Sequence, residues 1–118
     1  MKIAVVFFNL GGPDQPNAVE PFLINLFSDP AIISIPQPFR GILARFIGKK
    51  RAKIAEPIYE KLGGGSPLLP NTKAQAQALE ENLSRQIRGK FPNQSITTKV
   101  FIAMRYWHPM TKETVQNV

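Results

Sequence analysis

The most constraining feature of the sequence is a continuous apolar run over residues 3–8, Ile-Ala-Val-Val-Phe-Phe, which Gly11-Gly12-Pro13 follows closely. The run is rich in β-branched and aromatic residues and does not alternate with polar ones, which is typical of a strand buried on both faces. Such strands occur in parallel sheets that helices cover on either side. The run therefore predicts an α/β fold, in which neighbouring strands and helices cover this segment.

The rest of the chain alternates helical and strand patterns. A second strand is predicted over residues 97–104, and the spacing of apolar residues predicts several helices. The helices are expected at about 17–27, at 39–47, at 52–62 with an interruption at Pro57, from a cap at Asn71 or Thr72 to about Gly89, and from Thr111 onward. This order predicts part of a doubly wound parallel-sheet lobe with a right-handed crossover. Because two strands do not complete such a sheet, we expect residues 1–118 to be the N-terminal part of a larger α/β domain.

The composition excludes several kinds of site. The 118 residues include no cysteine, which excludes disulfides, cysteine nucleophiles, cysteine-ligated zinc and iron–sulfur clusters, and the single histidine, His108, excludes a metal site built from several histidines. No apolar run reaches the roughly 18 residues that span a bilayer, and the Gly-Gly-Pro sequence does not resemble a signal-peptide cleavage site. We therefore expect a soluble, cytoplasmic protein with no metal or cofactor of its own.

The positive charge is concentrated in one segment. The chain has 15 Lys and Arg against 8 Asp and Glu, a net charge of +7, and residues 40–61 hold seven basic and two acidic residues, a net charge of +5. Beside the amphipathic stretch that carries Phe39 and Phe46, this segment suits an anionic membrane surface or the acidic groups of a ligand. A solvated helix face explains the same charges. Nucleic acid is not favoured, because no binding motif is present and no aromatic residues are interleaved with the basic run.

Three loops carry residues that could bind a ligand. Ligands of open α/β sheets bind beyond the carboxyl ends of the strands, where the two predicted strands lead into residues 9–13 and 105–109. The second of these loops, Arg-Tyr-Trp-His-Pro, combines a cation, two planar rings and an imidazole, which suits a flat anionic aromatic ligand. Packing and turn formation explain the same residues. A third loop at residues 63–67, Gly-Gly-Gly-Ser-Pro, would let a flat ligand approach the backbone, or it is a flexible turn.

Four short motifs, taken in order, resemble the N-terminal part of ferrochelatases, the enzymes that insert ferrous iron into protoporphyrin IX in the last step of haem synthesis. The motifs are NLGGP (residues 9–13), LFSDP (26–30), GGGSP (63–67) and MRYWHP (104–109). Longer matching stretches cover nearly the whole chain. The resemblance implies two similar α/β lobes in one longer chain, with the porphyrin held in the cleft between them. The second lobe lies outside residues 1–118.

The resemblance also implies roles for particular residues. It implies porphyrin contacts for Leu10, Arg51, Tyr59, Ser66, Arg105 and Tyr106. It makes residues 35–47 a hydrophobic lip at the mouth of the cleft, where the family is thought to meet the membrane. His108 is not the family's catalytic histidine, which belongs, with its acidic partner, to the second half of the family's chain. The 118-residue chain is therefore expected to hold no catalytic or metal-binding residue and to be inactive alone.

Two alternatives concern the substrate and the class of protein. The leucine at position 10, where a tyrosine would indicate the coproporphyrin variant, favours protoporphyrin as the substrate of the parent enzyme. The basic segment is also compatible with a non-catalytic module that binds a membrane surface or a tetrapyrrole.

Overall fold

The apolar run at the start of the chain forms a strand, β1 (Lys2–Asn9), which pairs in parallel with β2 (Thr97–Met104). The computed structural model describes all 118 residues. Residue pairs run in register from Lys2 opposite Thr97 to Asn9 opposite Met104, so the two strands end at the same level. The two-stranded parallel sheet confirms the predicted α/β fold class, and the predicted bounds of the second strand are correct.

Helices occupy most of the chain between the two strands. The helical segments are a 3-10 turn (Pro16–Ala18), α1 (Val19–Phe27), α2 (Phe39–Lys61), α3 (Leu68–Lys90) and α4 (Thr111–Val115). The helices α3 and α4 pack against β2, whereas α2 packs against α1 and the 3-10 turn. None of the helices combines the length and the apolar character that crossing a membrane requires.

Helix α2 approaches α1 closely because it presents small residues to it. Ala44, Gly48 and Ala52 are buried and are spaced by four residues, so they lie on one face of α2. A Cβ atom on Gly48 would lie 2.7 Å from Cγ1 of Ile24 and 3.1 Å from its backbone nitrogen. The two helices can therefore pack at this distance only because position 48 has no side chain.

Replacing this glycine is expected to separate the two helices. We expect Gly48→Ala to lower the free energy of unfolding by about 1–3 kcal/mol, because the added methyl group meets backbone that can move little. Gly89→Ala, also in a helix but with no atom within 4 Å of its added Cβ, is expected to raise it by about 0.4–1 kcal/mol. Urea denaturation of both variants measures the difference, and equal effects would show that α1 and α2 do not pack through position 48.

The predicted interruption of α2 at Pro57 is wrong. One helix runs from Phe39 to Lys61 with the proline inside it. Pro57 lies only four residues before the end of the helix, so the hydrogen bond that its ring removes is lost near the last turn. The packing of Ala44 and its buried neighbours against α1 lies further towards the N-terminus and is not affected.

The predicted start of α3 is also wrong. The helix begins at Leu68, after Pro67, rather than at a cap formed by Asn71 or Thr72. Prolines are tolerated in the first turn of a helix, where the backbone N–H groups have no intrahelical partner. Pro67 and Pro70 therefore begin the helix instead of preceding it, and Thr72 lies inside it.

The sheet is less covered than its sequence predicts. β1 is not buried on both faces, and Phe8 is 71% exposed, because β2 is the only element that packs extensively on this strand. Only 16 of the 118 residues are buried. The radius of gyration is 18.2 Å, whereas a compact chain of this length has about 13 Å. Phe8 of β1 and several large apolar side chains of α2 thus remain on open surfaces.

The two edges of the sheet differ. At the outer edge of β2, Val100 N–H donates to Glu80 Oε2 at 2.8 Å, and Thr114 Oγ1 donates to the Ile102 carbonyl at 2.6 Å. Met104 N–H donates to the Pro109 carbonyl at 2.7 Å. No side chain or loop covers the outer edge of β1 in this way, so only that edge is free to pair with another strand.

Candidate functional site

The carboxyl ends of β1 and β2 lead into two loops that bond to each other. Arg105 N–H donates to the Asn9 carbonyl at 3.1 Å, and Tyr106 N–H donates to the Leu10 carbonyl at 3.0 Å. Gly11 has a φ of +81°, in the left-handed region that glycine adopts without strain. The NLGGP and MRYWHP motifs thus continue the pairing of the two strands beyond the sheet.

The GGGSP motif packs directly on the NLGGP motif. Ser66 N–H donates to the Pro13 carbonyl at 2.7 Å. A Cβ on Gly12 would lie 2.9 Å from Ser66 Oγ, and a Cβ on Gly65 would lie 2.6 Å from the carbonyl carbon and oxygen of Asp14. The glycines therefore let two loops that are distant in the sequence form one surface.

A buried hydroxyl ties α3 to the end of β1. Asn9 Nδ2 donates to Thr72 Oγ1 at 3.0 Å, and Thr72 Oγ1 donates to the Leu68 carbonyl at 2.6 Å. Asn9 Oδ1 accepts a hydrogen bond from Gly11 N–H at 2.8 Å. Both polar atoms of the Asn9 side-chain amide are therefore hydrogen-bonded, which fixes the orientation of the first residue of the NLGGP motif.

Asp29 of the LFSDP motif contacts the loop that follows β2. Oδ2 of Asp29 accepts from Arg105 Nη2 at 2.6 Å, from Arg105 Nε at 2.8 Å and from the Tyr106 hydroxyl at 2.7 Å. Oδ1 accepts from Ala31 N–H at 2.8 Å. Asn25 Nδ2 on α1 donates to the Tyr106 carbonyl at 3.0 Å. All four motifs thus meet at the carboxyl end of the sheet.

The contacts among Asp29, Arg105 and Tyr106, which together form a charged cluster, shift the pKa values of all three side chains. Hydrogen bonds from Ala31 N–H and the Tyr106 hydroxyl, together with the Arg105 guanidinium, hold the pKa of Asp29 below its usual value. Asp29 in turn raises the pKa of Arg105. Burial of the phenol, with the bond to Asp29, raises the pKa of Tyr106. At neutral pH the cluster therefore holds a carboxylate, a guanidinium and an uncharged phenol.

Carboxylates also hold the remaining rings of the MRYWHP motif. Trp107 Nε1 donates to Asp14 Oδ1 at 2.7 Å, and His108 Nδ1 lies 2.6 Å from Glu113 Oε1. The Trp107 and His108 rings are edge to face, with centroids 5.0 Å apart. Both side chains thus help to hold the loop in place.

A cavity of about 560 Å³ opens beside this cluster. Its walls are formed by the end of β1, the loop after β2 and the start of α4: Phe8, Asn9, Leu10, Arg105 and Thr111. Leu10 is 62% exposed, and Arg105 is the one charged residue among the five. The volume lies in the range of small-molecule sites, about 300–1,000 Å³.

Arg51 and Tyr59 lie on α2. Arg51 is exposed and lines a groove of about 280 Å³ between α1 and α2, whose other walls are Leu23, Phe27, Ile54, Ala55 and Ile58. Tyr59 is half-buried, one turn beyond Ala55 and just before the GGGSP motif. Three neighbouring lysines turn to another face of α2, where they line a depression of about 250 Å³ with Phe46: Lys49, Lys50 and Lys53.

The structure thus divides the six predicted porphyrin contacts into two groups. Leu10, Ser66, Arg105 and Tyr106 surround the ends of the strands, and Arg51 and Tyr59 follow α2. Tyr106 is only 5% exposed and its hydroxyl is bonded to Asp29. Ser66 is half-buried, so Leu10 and Arg105 are the exposed residues of the first group. The site assignments stay predictions.

Two carboxylates of this site were not predicted from the sequence. Neither Asp29 nor Asp14 is among the residues predicted to form the site. Their partners, Arg105 and Trp107, follow 76 and 93 residues later. The one available signal was that both acids lie within or beside the motifs that resemble ferrochelatases.

Comparison with known proteins agrees with these motifs. The Ferrochelatase family model matches residues 2–118. A ferrochelatase of Caulobacter vibrioides (strain NA1000 / CB15N) is 55% identical over 117 residues, which are 99% of this chain and 32% of that protein. A ferrochelatase of Wolbachia sp. subsp. Drosophila simulans (strain wRi) is 53% identical over 118 residues, 100% of this chain and 35% of that protein.

A relative with lower sequence identity also matches this chain over its full length. A ferrochelatase of Pelagibacter ubique (strain HTCC1062) is 46% identical over 119 residues, 100% of this chain and 33% of that protein. The chain thus spans about a third of the length of the curated relatives it matches. With a family match over its whole length and four motifs assembled at one end of its sheet, the chain belongs to the ferrochelatase family.

Proposed function

We propose that this chain forms part of the porphyrin cleft of a ferrochelatase that inserts Fe²⁺ into protoporphyrin IX to give protohaem. The observation that carries the proposal is the groove between α1 and α2, which is apolar except for Arg51. Protoporphyrin is a flat apolar ring with two carboxylates at its edge. An apolar wall with one cation suits such a ligand, because the ring is removed from water while a carboxylate meets a guanidinium.

Metal insertion requires both that the porphyrin is bound in a distorted form and that its two pyrrole protons are removed. The two pyrrole protons must leave and the stiff macrocycle must distort before its nitrogens can reach the metal. A shaped apolar cleft with fixed cations supports the distortion, and Leu10 with Arg105 at the strand ends and the apolar groove with Arg51 on α2 would each form part of such a surface. Proton removal needs a base, and His108, the only histidine of the chain, lines neither the cavity beside Leu10 nor the groove with Arg51. We propose that the base lies in the second lobe and that the chain alone does not turn over.

The exposed surfaces support the proposal that residues 1–118 form part of a larger lobe. The outer edge of β1 is uncovered, and Phe8 beside it is exposed. Unpaired strand edges with apolar residues are normally covered in native proteins. Further strands of the lobe are therefore expected to pair with β1 rather than with β2, whose edge is already closed by Glu80 and Thr114.

A second candidate function is a basic, non-catalytic module at a membrane surface. The observation that favours it lies on α2, where Phe39, Ile42 and Phe46 are exposed and Lys49 and Lys50 follow. This pattern suits a helix that rests on anionic lipid. The two functions are compatible if residues 35–47 form the lip of the cleft, and we propose a cytoplasmic protein in peripheral contact with the membrane.

A porphyrin titration tests the cleft. Soret absorbance is followed while protoporphyrin IX is added to the chain, to Arg51→Ala and to Ser66→Ala. We expect saturable binding that Arg51→Ala weakens at least tenfold, since a hydrogen bond to a charged group contributes about 1.5–3 kcal/mol. Lys53→Ala is the matched control, because it removes one cation from another face of the same helix. If Lys53→Ala weakens binding as much as Arg51→Ala, non-specific charge attraction explains the binding and the proposed groove is wrong.

A further inference from the structure

Arg40 differs from the other cations of the basic segment because its side chain bonds to the protein itself. Its Nε donates to the Ser28 carbonyl and its Nη1 donates to the Ile35 carbonyl, each at 3.0 Å. Of the seven basic residues between positions 40 and 61, it is the only one whose side chain forms a hydrogen bond or an ion pair within the chain. The guanidinium is therefore directed to the backbone rather than left free for an anion.

The two carbonyls belong to parts of the chain that few other contacts connect. Ser28 follows the last turn of α1, and Ile35 lies in the loop of residues 29–38 that leads to α2. Three residues of this loop are prolines, and no backbone N–H between positions 34 and 38 donates a hydrogen bond within the chain. Every residue from 34 to 38 is exposed. The guanidinium of Arg40 therefore supplies the contact that holds this part of the loop to the end of α1.

The loop and the lip carry one set of exposed apolar side chains. Ile32 and Ile35 of the loop are exposed, as are Phe39, Ile42 and Phe46 of α2. Free lysines follow directly on α2, so the set lies beside a positive charge that complements anionic lipid. A loop that is already ordered avoids the entropic cost of becoming ordered during binding. Holding the loop in one position therefore favours insertion of the whole set.

We infer that Arg40 is a positioning residue of the lip, which fixes the loop of residues 29–38 to the end of α1 so that the loop and α2 meet anionic lipid as one preformed apolar surface. The inference rests on the proposed function, because it takes the membrane contact of the lip from it. It separates Arg40 from its neighbours, whose free charges face the lipid headgroups. Charge alone is not sufficient at position 40, since a lysine is a single point charge that cannot bond to two carbonyls as the planar guanidinium does.

Limited proteolysis measures the order of the loop directly. The experiment uses a chimera, in which the chain replaces the matching segment of the Caulobacter vibrioides relative, and thermolysin, which cleaves before large apolar residues such as Ile32 and Ile35. We expect Arg40→Lys to speed cleavage in the loop roughly tenfold or more, because one hydrogen bond to a charged group is lost. Arg45→Lys is the matched control, since it makes the same substitution at an exposed residue of α2 whose side chain has no hydrogen bond within the chain. Equal cleavage of the two variants would overturn the inference.

Vesicle binding and metal insertion separate positioning from charge. With vesicles of phosphatidylcholine and phosphatidylserine, we expect Arg40→Lys to weaken binding roughly tenfold at low and high salt alike, although the net charge is unchanged. When protoporphyrin IX is supplied in these vesicles and Zn²⁺ insertion is followed, the KM for the porphyrin should rise by the same factor while kcat stays the same. Vesicle binding by Arg40→Lys equal to that of the unsubstituted chimera would show that position 40 contributes only its charge. A lower kcat would show a general structural role, and either result would overturn the inference.

The unsubstituted chimera distinguishes failure of the inference from failure of the proposed function. A folded chimera that binds vesicles but inserts no metal would overturn the proposed function, while cleavage and vesicle binding would still compare Arg40→Lys with Arg45→Lys. A chimera that inserts metal but binds no vesicles would overturn the membrane contact of the lip and the inference with it, and the porphyrin cleft would stand.

Discussion

Gly65→Ala is expected to lower the free energy of unfolding by about 3 kcal/mol, the largest loss of stability for a single methyl group in this chain. The added Cβ would lie 2.6 Å from the carbonyl carbon and oxygen of Asp14 and 3.1 Å from the nitrogen of Gln15. These are backbone atoms, so no side-chain rotation relieves the overlap. The GGGSP loop would have to move away from the NLGGP loop and lose the hydrogen bond from Ser66 to Pro13.

The same variant has a local optical signature. Trp107 is the only tryptophan of the chain, and its Nε1 donates to the side chain of Asp14. Displacement of Asp14 should therefore change the tryptophan fluorescence of the folded protein, in addition to the midpoint of urea denaturation.

Gly63→Ala provides the matched control in the same glycine run. Gly63 has a φ of +95° and no atom within 4 Å of an added Cβ, so the cost is conformational only, about 1–2 kcal/mol. Its tryptophan fluorescence should not change. If Gly65→Ala is no more harmful than Gly63→Ala, the two loops do not pack as closely as the structure shows, and the surface built from the four motifs is not preformed.

Phe46→Ala is expected to weaken binding to anionic vesicles at least tenfold. Phe46 is 67% exposed, and burying such a side chain in the lipid interface contributes about 1.5–3 kcal/mol. Lys49→Ala should weaken binding roughly fivefold, because each basic residue near an anionic surface contributes about 1 kcal/mol. Co-sedimentation with vesicles of phosphatidylcholine and phosphatidylserine, at low and high salt, measures both variants.

The control for this prediction is Phe91→Ala. Phe91 is also exposed, but it follows α3, outside the lip and the basic segment. We expect this variant to bind vesicles like the unsubstituted chain. Binding that responds to Lys49→Ala and to salt but not to Phe46→Ala would contradict an inserted lip and would favour the purely electrostatic module.

Much of the fold could be predicted from the sequence, because the spacing of apolar residues distinguishes helices from strands even where those residues stay exposed. The bounds of β2 and the presence of a helix over Phe39 and Phe46 follow from that spacing alone. The errors arose where one residue type has two uses. Pro57 breaks a helix in its middle but is tolerated near its end, and Thr72 caps a helix in some settings but here bonds within α3 and to Asn9.

The candidate site was predictable as a set of motifs but not as a set of contacts. The sheet brings the NLGGP and MRYWHP motifs together, since parallel strands end at one edge. The positions of Asp14 and Asp29 depend on loops that meet only after α1 packs on α2 and the glycine loops pack on each other. A single sequence contains no signal of an ion pair between residues 76 positions apart. The ion pair between Asp29 and Arg105 therefore emerges only from the structure.

The most direct test of the central claim is an insertion assay with Fe²⁺ and protoporphyrin IX that compares the isolated chain with the chimera carrying it in the Caulobacter vibrioides relative. If the chain forms part of a ferrochelatase cleft and lacks the base, the chimera inserts the metal and the chain alone does not exceed the protein-free rate. Turnover by the isolated chain near the rate of the chimera would contradict the assignment of the base to the second lobe. A folded chimera without turnover would contradict the assignment of this chain to the cleft.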